Sequence, residues 1–325
     1  MTLIAIEEHW TTQELTARLK ALPADRRDDS IAFNEMGDHL QRLEDIGEAR
    51  IAAMDEQGID LQILSVAPPA TGPLAPSDAV AVSRDLNDLA VAATSTHPDR
   101  FRAFATLPMP APSKAVEELE RAAHAGMVGA MLYGRTGETP LDDPRYDDVL
   151  GAAAQLSMPI FIHPQIPSPA LRSAAYGGFD DDTGLALSTY AWGWHIEAAV
   201  AALRLIASGT FDRHPDLQLV LGHWGELLLF WRDRVDSLTR AARLQRSVAD
   251  VFRENLHITS SGMFSPTLMQ HARDVVGPDR LLFSTDYPFQ HPTRTQIDVF
   301  LAEFEDVDRA RFTHENAQRL FRIDQ

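Results

Sequence analysis

Residues 3–10 of the chain read LIAIEEHW, an alternating apolar run that ends in two acids and a histidine. Such alternation indicates a buried β-strand, and the polar residues then mark its carboxyl end. Side chains two residues apart point to the same side of a strand. We therefore expect Glu7 and His9 to face one pocket, where a carboxylate and an imidazole can bind a metal ion together.

Further β-rich segments follow the first, and stretches with helical apolar spacing separate them. This alternation predicts an α/β fold, a (β/α)8 TIM barrel. A doubly wound open sheet is the alternative, but no glycine-rich phosphate turn follows the first strand. The predicted strands lie near 3–8, 61–67, 101–107, 128–134, 159–164, 218–224, 256–262 and 281–287.

The whole chain, 1–325, is expected to form one barrel domain, because no repeat, low-complexity tract or linker divides it. Two stretches, near 10–40 and near 165–186, are too long to be simple connections between a strand and a helix. Both leave the carboxyl ends of strands, the face where barrel enzymes have their active sites. We therefore expect them to form walls or a lid of a pocket.

The composition argues against several classes of partner. A net charge of −18 disfavours nucleic acid and anionic membranes. No apolar run reaches the length of a membrane span, and no secretory signal is recognisable, so we expect a cytoplasmic protein. The chain has no cysteine, so any metal must be bound by nitrogen and oxygen ligands.

Residues suited to metal binding or proton transfer recur at the predicted carboxyl ends of strands. His163 follows the fifth strand, His223 the sixth and Asp286 the eighth. Taken singly, such a histidine is more often structural, and such an aspartate is usually a helix cap. Together with the first strand they predict a metal site on one barrel face. The ligand set that we expect is Glu7, His9, His163 and Asp286.

The role of His223 stays open between a further metal ligand and a nearby acid or base. Glu226 follows three residues later, where we expect the first turn of a helix, and it could hold the His223 ring in one tautomer. A helix N-terminal acid is the alternative for Glu226. His195 could line the same pocket, although nothing in the sequence requires it. Imidazole and carboxylate ligands suit Zn²⁺, and Mn²⁺ or Fe²⁺ would be tolerated.

At these residues the sequence resembles the amidohydrolase superfamily, and within it the metal-dependent decarboxylases related to γ-resorcylate (2,6-dihydroxybenzoate) decarboxylase. The likeness covers nearly the whole chain and includes the segments EEHW, FIHP, LVLGHWGE and LLFSTDYPF. Glu-x-His on the first strand is informative, because most of the superfamily has His-x-His there. Two-metal members often bridge their metals with a carboxylated lysine after the fourth strand. Here that strand ends MLYGRTGE, without lysine, so one metal ion is expected.

The resemblance implies roles for individual residues. Arg234 matches an arginine that related decarboxylases bring from a neighbouring subunit, so a homodimer or homotetramer is expected. A local ion pair of Arg234 with Asp233 or Asp236 is the alternative. Arg50 aligns with a carboxylate-binding arginine of the aminocarboxymuconate semialdehyde branch, and a solvated helix arginine is the alternative. The remaining matches are the metal ligands Glu7, His9, His163 and Asp286, and the catalytic residues Asp286, His223 and Glu226.

The implied activity is reversible, non-oxidative decarboxylation of a hydroxylated aromatic acid. We expect one divalent ion, Zn or Mn, no organic cofactor, and a small anionic substrate with a hydroxyl group ortho to its carboxylate. Metal-assisted hydrolysis of a lactone or an amide is the alternative and would use the same ligands. Binding of a small ligand without turnover is a third hypothesis, which requires an idle metal site. Residues 165–186 and 189–197 differ from the resorcylate enzymes, so the sequence does not specify the aromatic acid.

Overall fold

A sheet of eight parallel strands forms the centre of the protein, and each strand pairs with the next one along the chain. The computed structural model describes residues 2–24 and 26–323. The predicted (β/α)8 barrel is confirmed, and each strand overlaps its predicted position. The strands are Ile4–Trp10 (β1), Leu61–Val66 (β2), Phe101–Thr106 (β3), Gly129–Tyr133 (β4), Ile160–His163 (β5), Leu219–Leu221 (β6), Leu256–Thr259 (β7) and Leu281–Leu282 (β8).

Helices alternate with the strands and pack against the outside of the sheet. Two of them begin with a capping box, in which the first residue and the third helical residue satisfy each other's backbone N–H groups. Helices of five or more residues are Gln13–Lys20 (α1), His39–Leu43 (α2), Glu48–Gln57 (α3), Pro76–Thr96 (α4), Pro112–His124 (α5), Asp147–Leu156 (α6), Asp181–Ser188 (α7), Gly193–Ala207 (α8), Val248–Glu254 (α9), Pro266–Val276 (α10), Arg294–Leu301 (α11), Asp306–Ala310 (α12) and Asn316–Phe321 (α13).

Short helical turns and a two-stranded antiparallel hairpin, Arg135–Thr136 with Thr139–Pro140, complete the described chain. A membrane-crossing helix, long and apolar enough to span a bilayer, does not occur among these described residues. The short α-helical pieces are Pro169–Leu171, Thr210–Arg213, Arg232–Val235 and Leu238–Ala241; 3₁₀ turns are Asp29–Glu35, Pro144–Tyr146, Leu228–Trp231 and Pro278–Arg280; π turns are Arg172–Tyr176 and Arg311–Glu315. His223–Glu226 forms a turn with positive φ angles.

Branched and aromatic side chains fill the interior of the barrel below its carboxyl face. Because side chains alternate along each strand, the neighbouring positions face the helices and form a second apolar layer. Packing of this kind leaves the upper ends of the strands for polar groups. The interior side chains include Ile4, Ile6, Leu61, Ile63, Phe104, Met131, Phe161, Val220 and Leu282.

A β-bulge in β1 separates the apolar part of the strand from its polar end. Ala5 pairs with Gln62, but Glu8 pairs with Leu64, so β1 has one residue more than β2 between these pairs. Bulges bend a strand locally and redirect its side chains, and they are frequent beside active sites. Past the bulge, the pairing of β1 with β2 places His9 beside Ser65.

Glu8 links the first strand to the segment that follows the last one. Its buried carboxylate accepts hydrogen bonds from the backbone N–H of Thr285 at 2.9 Å and from the Thr285 hydroxyl at 2.6 Å. The backbone N–H of His9 donates to the carbonyl oxygen of Tyr287 at 2.7 Å. These bonds hold the ends of β1 and β8 together at the face where the predicted site residues lie.

The two long connections contain short helices. The stretch near 10–40 holds α1 and the 3₁₀ turn Asp29–Glu35, and the stretch near 165–186 holds the π turn Arg172–Tyr176 and the start of α7. Residues of both stretches, including Asp28 and Ile166, line a cavity of about 360 Å³. Each connection therefore forms part of a pocket wall.

Candidate active site

Four side chains with metal-ligating atoms converge at the carboxyl end of the barrel. One such atom from each lies within 4.8 Å of the other three. Nε2 of His163 is 3.6 Å from Oε1 of Glu7, and Nε2 of His9 is 3.3 Å from Oδ1 of Asp286. The side chain of Asp286 is 14% exposed, whereas the other three are almost completely buried. The structure thus brings together Glu7, His9, His163 and Asp286, the set expected from the sequence.

Hydrogen bonds to the second ring nitrogen orient both histidines of this cluster. Nδ1 of His163 is 2.7 Å from the carbonyl oxygen of Pro164, and Nδ1 of His9 is 3.1 Å from the hydroxyl of Ser65. A carbonyl oxygen can only accept, so His163 carries its hydrogen on Nδ1 and its Nε2 lone pair is available to a ligand. Metal-binding histidines are commonly fixed in this way.

Two buried atoms of the cluster lack a hydrogen-bond partner within the described part of the chain, namely Oε1 of Glu7 and Nε2 of His9. Buried polar atoms in native proteins are rarely unpaired, because an unpaired one loses its interaction with water. One divalent cation between these atoms would satisfy both. Two imidazoles and two carboxylates are a donor set that Zn²⁺ and Mn²⁺ accept, so the residues present fit the expected metal.

Burial changes the protonation of the cluster. Burial raises the pKa of Glu7 to about 8, with a smaller opposing effect of His223. Burial also raises the pKa of Asp286 to about 7, although His223 favours its ionised form. The pKa of His9 is lowered to about 3 by burial, and the charges of Arg50 and His223 add to this. The imidazole is therefore neutral, as a ligand must be, and the carboxylates need a nearby cation to ionise fully.

A second group of titratable side chains lies beside the first. Nδ1 of His223 is 2.8 Å from Oε1 of Glu226, and Nδ1 of His195 is 2.7 Å from Oε2 of the same carboxylate. These three residues form a separate group of possible ligand atoms from the four described above. The carboxylate of Glu226 thus holds two imidazoles at once, and it is 1% exposed.

Within this second group, His223 and Glu226 each favour the charged form of the other. Burial alone would lower the pKa of His223, but the charge and hydrogen bond of Glu226, with smaller effects of Glu7 and Asp286, raise it to about 10. Burial would raise the pKa of Glu226, but the charge of His223 and the hydrogen bonds from both histidines lower it to about 2. His223 is therefore a protonated imidazolium paired with an ionised carboxylate.

The backbone that carries His223 and Glu226 is a left-handed turn, and the expectation of a regular first helical turn is wrong. The φ angles of His223 and Glu226 are 48° and 54°, in a region that non-glycine residues seldom adopt. The Ser261 hydroxyl holds this turn, because it accepts a hydrogen bond from the backbone N–H of His223 at 2.9 Å. The same hydroxyl donates to Oε2 of Glu7, so Ser261 links the two groups of side chains.

Arg50 occupies a different environment from the expected substrate-binding one. Its side chain is 1% exposed, so it is not a solvated helix arginine either. Its guanidinium donates to the carbonyl oxygens of Asp45, Arg42 and His9, and to the side chain of Gln62. Because these protein acceptors occupy most of its N–H groups, we expect Arg50 to fix the backbone at the end of β1 rather than to bind the substrate.

Arg234 lies on the exposed surface, in the short helix Arg232–Val235. It forms no ion pair with any residue that the structure describes, so the alternative of a local pair with Asp233 or Asp236 finds no support. The apolar run that precedes it, residues 227–231, is partly buried and partly exposed. Leu228 and Leu229 are buried, whereas Leu227, Phe230 and Trp231 are exposed.

Aromatic side chains lie next to the metal-type cluster, which consists of Glu7, His9, His163 and Asp286. The ring of Trp194 lies 6.4 Å and the ring of Tyr133 5.9 Å from the ring of His163, measured between centroids. On the other side, the ring of Phe289 lies 5.6 Å from that of His9. Flat apolar walls of this kind favour a planar aromatic ligand.

Comparison with known proteins identifies the family. A family model described as Amidohydrolase matches residues 16–323. The chain belongs to the amidohydrolase family. A γ-resorcylate decarboxylase from Rhizobium sp. (strain MTP-10005) is 35% identical to this amidohydrolase over 339 aligned residues, which cover 99% of this chain and 98% of that protein. The resemblance seen in the sequence is thus confirmed.

Solved structures of decarboxylases share the fold of this amidohydrolase along its whole length. The 5-carboxyvanillate decarboxylase LigW from Sphingomonas paucimobilis is 30% identical, with a TM-score of 0.90 and 99% coverage of both chains. A dihydroxybenzoic acid decarboxylase from Polaromonas sp. JS666, with bound manganese and the inhibitor 2-nitroresorcinol, is 33% identical. Its TM-score is 0.84, and the match covers 100% of this chain and 98% of that one.

Proposed function

We propose that this amidohydrolase is a metal-dependent carboxy-lyase that removes CO₂ from an ortho-hydroxylated aromatic acid, reversibly and without an organic cofactor. One observation carries the proposal: four ligand-type side chains converge within 4.8 Å beside a histidine whose Nδ1 bonds to a buried carboxylate at 2.8 Å. The relatives support the reaction class, since they are named γ-resorcylate and 5-carboxyvanillate decarboxylases. Both named substrates carry a hydroxyl group ortho to the carboxylate that is lost.

The substrate is held by the metal site and by the aromatic walls. When bound by Glu7, His9, His163 and Asp286, one divalent ion supplies a positive centre that orients the neighbouring carboxylate and phenol oxygens. We propose Mn²⁺ or Zn²⁺, and the manganese in the Polaromonas structure supports the former. Trp194, Tyr133 and Phe289 would enclose the ring and exclude water.

Asp286 is the proposed proton donor and His223 the group that holds the phenol oxygen. A proton from Asp286 adds to the ring carbon that bears the carboxylate, which interrupts the aromatic system. The carbon–carboxylate bond then breaks, its electron pair restores the ring, and CO₂ leaves. Meanwhile Nε2 of His223, whose Nδ1 donates to Glu226, donates to the phenol oxygen, and solvent returns the proton to Asp286. The reverse assignment, with His223 as donor, is the alternative.

A homodimer or homotetramer would give Arg234 a function. The exposed side chains of Leu227, Phe230 and Trp231 lie next to it in sequence and offer apolar surface for a second subunit. We propose that Arg234 reaches the neighbouring subunit's pocket, where its permanent charge suits an anionic substrate. Localisation in the cytoplasm stays a prediction.

Product analysis with a small substrate panel tests the proposed function. Metal-loaded protein is incubated with 2,6-dihydroxybenzoate, salicylate and, as the matched control without an ortho hydroxyl, 4-hydroxybenzoate, and separately with aryl lactones. We expect CO₂ release from one or more ortho-hydroxylated acids and none from the control. Lactone hydrolysis without any release of CO₂ would instead favour the hydrolase alternative.

A further inference from the structure

One carboxylate at the active site bonds to histidines from two separate parts of the chain. Glu226 accepts from Nδ1 of His223 at 2.8 Å and from Nδ1 of His195 at 2.7 Å. The two imidazole rings are 4.6 Å apart between centroids and inclined by 66°. His223 follows β6, whereas His195 belongs to the first turn of α8. The proposed reaction uses His223 and Glu226 but gives His195 no part.

His195 is fixed at both ring nitrogens. Its Nε2 lies 3.0 Å from the carbonyl oxygen of Tyr190, which can only accept a hydrogen bond. Its Nδ1 lies 2.7 Å from Oε2 of Glu226, so each ring nitrogen contacts an oxygen atom of the protein. The ring therefore bridges the carboxylate of Glu226 and the turn that precedes α8.

The turn formed by residues 223–227 needs contacts of this kind because its backbone conformation is unfavourable on its own. Residues 223–227 all have positive φ angles, and only one of them is glycine. Such conformations persist when the surrounding structure holds them in place. Three side-chain contacts do so here: the Ser261 hydroxyl at the N–H of His223, the Trp224 indole at the carbonyl oxygen of Met263, and His195 at the Glu226 carboxylate. His195 is the one that reaches the side chain bonded to His223.

The turn before α8 also contacts the long connection after β1. The ring of Tyr190 packs edge-on against Phe33 at 5.2 Å between centroids, and Trp194 contacts the same ring at 5.8 Å. Trp194 in turn lies beside His163 of the metal-type cluster. The backbone carbonyl that fixes His195 therefore belongs to a segment that is packed against the long connection after β1.

We propose that His195 is a positioning residue for the decarboxylation. It fixes the Glu226 carboxylate so that the His223 ring presents Nε2 to the substrate. This inference rests on the proposed function for its kinetic consequence but not for its structural one. Groups that orient a catalytic side chain in this way commonly change activity by about 10- to 100-fold when they are removed.

Three variants test this role: His195→Ala, His195→Gln, whose amide can still donate to Glu226, and His124→Ala as a control on the outer helix α5. For His195→Ala we expect kcat to fall by about 10- to 100-fold while KM changes less than about threefold, with unchanged metal content. His195→Gln should recover part of kcat, and His124→Ala should match the wild type.

A crystal structure of the metal-loaded His195→Ala protein supplies a readout that does not depend on activity. We expect the His223 Nδ1 and Glu226 Oε1 atoms to lose their hydrogen-bond distance or to occupy more than one arrangement. An intact His223–Glu226 pair in this variant would overturn the proposal, as would a kcat within about twofold of the wild type. If the wild type itself releases no CO₂, the proposed function fails, and the crystal structure alone still decides the role of His195.

Discussion

Nε2 of His9 lies 3.3 Å from Oδ1 of Asp286, although the two residues stand at the ends of the first and last strands of the barrel. Hydrogen bonds from His9 to Tyr287 and from Thr285 to Glu8 join the first strand to the segment that follows the last one. Each of these side chains offers an atom to the same small volume as Glu7 and His163. The metal site that we propose therefore depends on this contact between the first strand and the segment after the last one.

Loss of a ligand and loss of a proton-handling group should have different effects. His163→Ala removes a proposed ligand, so the purified protein should contain much less metal and have little activity. His223→Ala should keep its metal but lower turnover by about 100-fold or more, the scale expected for a positioned acid or base. Metal analysis of both variants, together with kcat, separates the two roles. Loss of metal from His223→Ala would make His223 a ligand and refute our division of roles.

Arg50 should contribute to stability rather than to substrate affinity. Arg50→Leu leaves buried carbonyl oxygens without their donors, so the free energy of unfolding should fall by about 3 kcal/mol. Arg18→Leu is the control, because Arg18 lies on an exposed helix surface and should have little effect. Denaturant unfolding measures both changes. A variant of normal stability whose KM rises strongly would restore the substrate-binding hypothesis for Arg50.

The stability of the metal-free protein should depend on the protonation of His257. Burial lowers the pKa of His257 well below its usual value, and the charges of Arg280 and Arg319 add to this. The unfolded chain binds a proton near pH 6.5, whereas the folded one does not, so this contribution to stability is present above that pH and is lost as the pH falls. Between pH 6.5 and 5 the effect approaches about 1.4 kcal/mol per pH unit.

His257→Gln removes this titration. Unfolding free energies measured at several pH values should fall less steeply below pH 6.5 in the variant than in the wild type. Identical slopes for the two proteins would show that His257 protonates equally well in the folded state.

Arg234 tests the proposed assembly. Arg234→Ala should lower kcat/KM by about tenfold or more, because an anionic substrate loses a permanent positive charge. Neither this variant nor His223→Ala has a complete site, but a mixed dimer contains one site with both residues intact. Refolding the two variants together should therefore recover activity that neither has alone. A monomer in solution with full activity would contradict this account.

The strands and the metal-type cluster could be predicted because both follow from local patterns. Alternating apolar residues place β1, and the fifth predicted strand, 159–164, contains the observed strand Ile160–His163. Parallel strands of a barrel all end on one face, so polar residues after different strands must meet there. That rule alone predicts that Glu7 and His163 lie close together, without any knowledge of the helices.

Other features of the site depend on contacts that local patterns do not show. His195 precedes Glu226 by 31 residues and lies on a helix, so its bond to that carboxylate has no signature in the spacing. The left-handed turn at His223 is held by Ser261 from another strand end, whereas helical propensity favours a regular turn. Arg50 resembles a solvated helix residue in sequence, but the inner face of α3 buries it against β1.

Decarboxylation in D₂O tests the central claim most directly. One reaction reports the metal requirement, the loss of CO₂ and the position of the transferred proton. The protein is stripped with a chelator, supplied with 2,6-dihydroxybenzoate, and assayed before and after addition of Mn²⁺ or Zn²⁺, with resorcinol in buffer as the exchange control. We predict that CO₂ release requires the added metal and that the product carries one deuterium on the carbon that held the carboxylate. Undiminished CO₂ release by the stripped protein, or release of none by the metal-loaded protein while it hydrolyses a lactone, would contradict the account.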